Sequence, residues 1–208
     1  MILPEGIPGV AFGDAADGDP RRDPAARLAI SAAIGVDRFA WIDQVHGTRV
    51  VAAVAPGSAG EADAAYTVIP GLAVGVGTAD CFPVALVGEG IVGVAHAGWR
   101  GAKAGVVTAL RTAMRTAAGQ DPHQAAIGPG IGPCCFEVGP EVAEQFPRYL
   151  SETTTGTRSV DLRRVLQDQL DGVSTWVAPQ CTKCGDGWNS YRRDRTDRRQ
   201  VALAWLPG

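Results

Sequence analysis

Three short apolar runs, packed into 24 residues, constrain this chain more than any other feature. Leu72–Thr78 reads LAVGVGT, Pro83–Val87 reads PVALV and Ile91–Ala95 reads IVGVA. Each is too short for a buried helix, rich in β-branched residues and bounded by turn residues, so each is expected to be a strand buried on both faces. TADC separates the first two and Gly88–Gly90 turns the second into the third. Around this centre, helices are expected at Pro24–Ile34, ended by Gly35, and at Gly101–Ala118, where Val106, Val107, Leu110 and Met114 fall at helical spacing. Two more helices are expected at Glu141–Leu150 and Asp161–Leu170, and a closing strand at Val201–Leu206. Trp41–Val54 alternates like a strand but is interrupted by the polar HGT at 46–48, and 13–27 and 55–62 read as loops. Strands interleaved with helices make a mixed α/β protein.

The chain has 208 residues, 46% of them hydrophobic, enough for a real core in one domain spanning 1–208. A formal charge of −3 gives no electrostatic case for nucleic acid or an anionic membrane as partner. The start, MILPEGIPGVAFGDAADGD, has no basic segment followed by an apolar run, and no apolar stretch nears the roughly 20 residues that span a bilayer. A soluble, cytoplasmic protein is expected. In that reducing compartment, five cysteines are expected as free thiols or metal ligands rather than disulfides.

Only three histidines occur. His46 and His96 sit where strands break into small residues, in QVHGT and VAHAGWRG, and Cys81 sits in the same kind of place, in TADCFP. Strand ends are where a sheet presents side chains to one point at its edge. Two imidazoles and one thiolate suit zinc, with copper the other metal this donor set accepts, and three protein ligands leave a coordination position open. Zinc with an open position brings the pKa of bound water to about 7. Asp80, beside Cys81, is a candidate to orient a ligand or shuttle a proton. Against this, the separations of 35 and 15 residues match no short metal motif, and a single histidine before glycine is more often structural.

Six segments add up to a family: QVHGTRV (44–50), EADAAYT (61–67), GTADCFPVAL (77–86), VAHAGWRG (94–101), IGPGIGPCCFEVG (127–139) and CTKC with NSYRRD (181–194). In this order they resemble the YfiH-like family, long labelled polyphenol oxidase or laccase and now associated with purine nucleoside phosphorylase and adenosine deaminase activities. The resemblance covers roughly residues 36–206. It implies a layered α/β/β/α fold with mixed sheets, and one metal, usually zinc, whose ligands map onto His46, Cys81 and His96. A purine nucleoside, with phosphate, is the implied substrate. One departure stands out: family members commonly carry an N-terminal Phe-Ser-Thr-Arg followed by glycines, where this chain has VAFGDAADGD at 10–19. Residues 1–35 are thus a divergent segment, and the nearest arginines are Arg21 and Arg22.

The remaining motifs divide between substrate contact and architecture. Arg100 offers a planar fork to an anion or pairs with an acid near a helix start. Trp99 is a core or site-wall residue before it is a stacking platform. The Gly-Pro loop at 128–133 is no P-loop, since its prolines remove amide donors and no Gly-Lys-Ser/Thr follows. Cys134 is a candidate substrate contact, with Cys135 structural. Cys181 and Cys184 form a CxxC, but the only partners left for a structural zinc are adjacent in sequence, so a packed loop is expected. Tyr191 and Arg192, with Arg193, reach substrate or form an exposed basic loop, and His123 is a surface residue.

Four functions compete. The first is a metal-dependent purine nucleoside enzyme. The second, a multicopper laccase, needs about ten histidines and fails on ligand count, and a blue-copper carrier fails because Cys81, His96 and Met114 do not share one loop. The third is a hydrolase or amidase with Cys81 as nucleophile and His96 or His46 as base, acting on a small cell-wall precursor. The fourth is a binding protein without catalysis.

Overall fold

The computed structural model describes residues 1–207. Its strands are β1 (Val10–Phe12), β2 (Arg38–Asp43), β3 (Val50–Ala52), β4 (Gly57–Glu61), β5 (Ala64–Thr67), β6 (Leu72–Thr78), β7 (Phe82–Gly88), β8 (Ile91–Ala97), β9 (Gln124–Ile127), β10 (Leu150–Glu152), β11 (Arg158–Val160), β12 (Ser174–Val177) and β13 (Gln200–Trp205). Its α-helices are α1 (Pro24–Ile34), α2 (Trp99–Ala104), α3 (Val106–Ala118), α4 (Pro140–Ala143), α5 (Leu162–Gln169) and α6 (Tyr191–Asp194).

The three central runs do form strands, buried along their whole length, but they divide between two sheets. β6 lies in a five-stranded sheet of order β1-β13-β6-β2-β4, whereas β7 and β8 form the hairpin of a six-stranded sheet of order β12-β9-β7-β8-β5-β3. Both sheets mix parallel and antiparallel pairs. Strand alternation sorts the side chains into layers. Leu72, Val74 and Val76 of β6 pack with Ala85, Val87, Val92 and Val94 between the sheets. The opposite faces of β7 and β8, with Val84, Leu86, Ile91 and Ala95, pack against Val107, Leu110 and Met114 of α3 and Leu166 of α5. Ile30 of α1 covers Ala73 and Leu203 on the outside of the five-stranded sheet. The expected α/β/β/α layering is present.

Local signals set several boundaries. Asp23 caps α1 by accepting from the Ala25 amide, Pro24 opens the helix, and Gly35 ends it in the left-handed region. The helix expected over 101–118 is two, because Gly105 adopts φ 83° and breaks it between α2 and α3. The helix expected at 141–150 is only α4. Pro147 disfavours helical backbone at Phe146, which sits at φ −133°, and the chain passes through a short 3-10 turn into the β10–β11 hairpin. The interrupted strand at 41–54 is two strands in different sheets, β2 and β3, with the HGT segment crossing between them. Residues 57–61, expected as loop, form edge strand β4 through pairing with β2, a tertiary contact that their glycine and serine content does not advertise. No helix is long and apolar enough to cross a membrane among the described residues.

Candidate metal centre and its cleft

Two of the connections between the sheets meet at one end of the sandwich. The β2–β3 crossing carries His46, the β6–β7 crossing carries Cys81, and β8 of the six-stranded sheet brings His96 to the same end. One donor atom from each of the three lies within 4.8 Å of the others. The imidazole rings of His46 and His96 stand edge to face with centroids 4.8 Å apart. His96 is buried, Cys81 half-buried and His46 exposed, so the cluster opens to solvent on the His46 side.

Asp63, which the sequence reasoning did not single out although it sits in the quoted EADAAYT, holds this cluster together. It is fully buried at the head of β5. One carboxylate oxygen lies 2.9 Å from Nδ1 of His96, which leaves Nε2 of that ring as its free nitrogen. The same carboxylate accepts from the amides of Val45, His46 and Gly47, and the Asp63 carbonyl accepts from the His96 amide at 2.7 Å. His46 needs this, because its φ of 64° is left-handed, a conformation that costs about 1–3 kcal/mol in a residue with a side chain. Hydrogen bonds to a charged acceptor, roughly 1.5–3 kcal/mol each, offset it. Burial raises the Asp63 pKa, but the bond to His96 and the Gly47 and His46 amides outweigh it and hold the carboxyl below its usual range.

Asp80 is the second strained residue, at φ 87°, and its carboxylate is engaged away from the triad. One oxygen accepts from the Thr182 hydroxyl at 2.7 Å and the other from the Arg192 amide at 2.6 Å. Asp63, rather than Asp80, contacts the His96 ring, and Asp80 ties the C-terminal segment to the strand crossing that presents Cys81.

Glycine explains part of VAHAGWRG. A Cβ on Gly98 would lie 3.0 Å from the Cys81 sulfur and 3.2 Å from Cδ2 of His46, and one on Gly101 would lie 3.1 Å from the Gly47 carbonyl. These positions allow α2 to start hard against the cluster. Burial pushes the Cys81 thiol up, but the positive His96 and hydrogen bonds from both imidazoles outweigh it and bring the thiol down to about 6. Burial likewise lowers His96, but Cys81 and Asp63 carry it up to about 9.

Two hollows meet at the cluster. One, of about 480 Å³, is lined by His46, Cys81 and His96 together with Arg21, Arg22 and Arg199. The other, of about 190 Å³, is lined by Trp99, Arg100, Ile131, Phe136 and Arg192. His46, Cys81 and Tyr191 border both. Arg21 lies over Gly77, where a Cβ would strike its guanidinium, and is held by two bonds to Asp19 of 2.8 and 2.7 Å. Arg22 reaches Asp197 across the mouth at 3.3 Å. The N-terminal segment thus brings two arginines to the cleft.

Of the other candidates, Trp99 is half-buried with the Arg100 guanidinium stacked 4.2 Å from its ring. The Arg192 guanidinium donates to the Glu137 carbonyl at 2.7 Å and covers Phe136. Cys134 does not line either hollow; it belongs with Cys135, Cys181 and Cys184 in a second cluster, contrary to the expectation of a merely packed loop around the CxxC. His123 is exposed, as expected.

Residues 10–207 match the family model described as multi-copper polyphenol oxidoreductase laccase. A purine nucleoside phosphorylase of Deinococcus radiodurans is 38% identical, over 96% of this chain and 83% of that protein. The purine nucleoside phosphorylase YfiH of Escherichia coli K12 is 35% identical, over 80% of this chain and 73% of that protein. The crystal structure of NMB0706 from Neisseria meningitidis superimposes with a TM-score of 0.77 at 32% identity, over 91% of this chain and 83% of that one. With the match spanning both sheets and every segment that builds the cleft, the chain belongs to the YfiH-like, laccase-domain family.

Proposed function

We propose that this protein is a zinc-dependent purine nucleoside enzyme, whose principal reaction is phosphorolysis of the glycosidic bond, with deamination of adenosine as a second reaction of the same cleft. The observation that carries the proposal is that a three-donor cluster sits where an arginine-lined hollow meets an aromatic-lined one. The donor set fits a single cation: its atoms are mutually close, His96 has its second nitrogen committed to Asp63, and Gly98 keeps the approach free of a side chain. When bound, the ion supplies Lewis acidity at the junction of the two hollows.

The chain's own residues divide the remaining work. His46, Cys81 and His96 hold the ion. Trp99, Phe136 and Tyr191 offer faces and edges to a flat heterocycle. Arg21, Arg22 and Arg199 put guanidinium groups on the wall of the larger hollow, which Asp43 and Asp197 also line, and are the groups proposed to meet the phosphate oxyanion. Arg192, with its guanidinium fixed to Glu137, closes the wall of the smaller one. The names of the similar proteins from D. radiodurans and E. coli support the substrate class.

One observation favours a second reading, a metal-free hydrolase: the Cys81 thiol at about 6 beside His96 at about 9 is the pairing of a nucleophilic cysteine. The deciding experiment incubates purified protein, of measured metal content, with adenosine, inosine and guanosine, with and without phosphate. Release of free base that requires both phosphate and bound zinc is expected. Base or ammonia production by zinc-free protein, abolished by alkylation, would transfer the assignment to the thiol.

A further inference from the structure

The four cysteines that the cleft does not use converge. Cys134 and Cys135 lie on the Gly-Pro loop, Cys181 and Cys184 on the loop before α6, and all four sulfurs lie within 4.8 Å of one another without a disulfide. The sulfurs of Cys134 and Cys184 are 3.8 Å apart. With Zn–S bonds of about 2.3 Å, the edge of a tetrahedral four-sulfur site is about 3.8 Å. Main-chain amides converge on one of the sulfurs: Gly132 donates to Cys181 at 3.2 Å, and the Lys183 and Cys184 amides turn toward it as well. Thiolates are the sulfur species that benefit most from such donors.

We propose that Cys134, Cys135, Cys181 and Cys184 bind one zinc ion as a closed, four-thiolate structural site, distinct from the His46–Cys81–His96 cluster. Binding releases the thiol protons to solvent and leaves no ligand position for substrate. Four sulfurs and no nitrogen or oxygen select zinc or iron; zinc is the ion proposed, and iron is an outcome that the test distinguishes. The ion joins two segments that wall the aromatic hollow. Residues 128–137 supply Ile131 and Phe136, and 181–194 supply Tyr191 and Arg192. The protein already laces them: Gly130 bridges Cys181, the Thr182 amide donates to Gly130 at 3.1 Å, and the Arg192 guanidinium donates to the Glu137 carbonyl at 2.7 Å. Arg193 braces the second segment from within through the carbonyls of Thr182, Lys183 and Trp188. The proposal does not depend on the proposed reaction.

The test is metal analysis of the full-length Cys81→Ala protein, which lacks a triad ligand and keeps the four other cysteines. About one zinc per chain is expected, released by a mercurial thiol reagent, with four titratable thiols after denaturation without reductant. Adding Cys184→Ala should abolish that zinc, and Cys184→His, with a nitrogen donor at the exposed corner, should retain it. A zinc-free Cys81→Ala protein, iron in place of zinc, fewer than four free thiols, or undiminished zinc in the double variant would each overturn the proposal. The first measurement alters none of the four cysteines, so misfolding of a Cys184 variant leaves the test standing.

Discussion

The triad and the four-cysteine cluster are built from overlapping donor types by opposite means. His46, Cys81 and His96 come from three separate points at the end of a rigid sandwich, with a buried carboxylate behind them and two hollows in front. Cys134, Cys135, Cys181 and Cys184 come from two irregular loops, with main-chain amides behind them, and line neither of the two hollows. Three ligands with access suit chemistry, and four without it suit architecture. The contrast teaches that donor clusters in this fold are told apart by what surrounds them rather than by sequence spacing, which is irregular in the first cluster and includes adjacent residues in the second.

That contrast can be broken most forcefully at Cys81. Cys81→Ala should reduce nucleoside turnover by on the order of 100-fold or more while leaving the far-ultraviolet circular dichroism unchanged. Wild-type turnover in that variant would remove the triad from the reaction. Next in size is Asp63→Asn, which keeps the shape but gives the His96 ring and three amides a poorer acceptor. Its zinc affinity at the triad, measured by competition with a chelator, should fall by roughly 10–100-fold. An unchanged affinity would show that strand geometry alone orients His96.

A smaller effect is expected from the other cluster. Cys184→Ser should raise the KM for nucleoside several-fold with kcat nearly intact, because the Tyr191–Arg192 wall loosens while the triad keeps its ion. Equal losses in kcat would erase the distinction between architecture and chemistry. The smallest effect is a pH dependence of the zinc-stripped protein. The Cys81 pKa of about 6 lies below its ordinary value of 9.0, so the thiolate is present above about pH 6 and is lost as pH falls through that value. The alkylation rate that disappears in Cys81→Ala should therefore rise between about pH 5 and 7. A rise only near pH 9 would show that His96 does not share its charge with this sulfur.

Much of the site was legible before any coordinates. Histidines and a cysteine placed where apolar runs break into glycine and alanine are poor core residues, and the breaks mark strand ends. Asp63 escaped notice because an aspartate between alanines carries no periodic signal; its burial and its four hydrogen-bonded partners exist only once β5 lies beside β8 and the 44–49 crossing. The cysteine cluster was hidden for a related reason. Nothing in the pattern 134, 135, 181, 184 states that the Gly-Pro loop and the pre-α6 loop are neighbours, and the Gly130–Cys181 bridge supplies that fact.

By itself, the amino-acid order determined the strands β6, β7 and β8, the capped helix α1, and the residues that offer donors to a cation. These depend on short apolar runs rich in β-branched residues, φ restriction and donor chemistry, all properties of near neighbours. Only the tertiary structure decided that β6 and β7 belong to different sheets, that Arg21 and Arg22 of the N-terminal segment line the cleft, and that five cysteines divide into one and four. Those outcomes depend on which distant segments share a surface, and burial between two packed sheets sets that for the molecule as a whole.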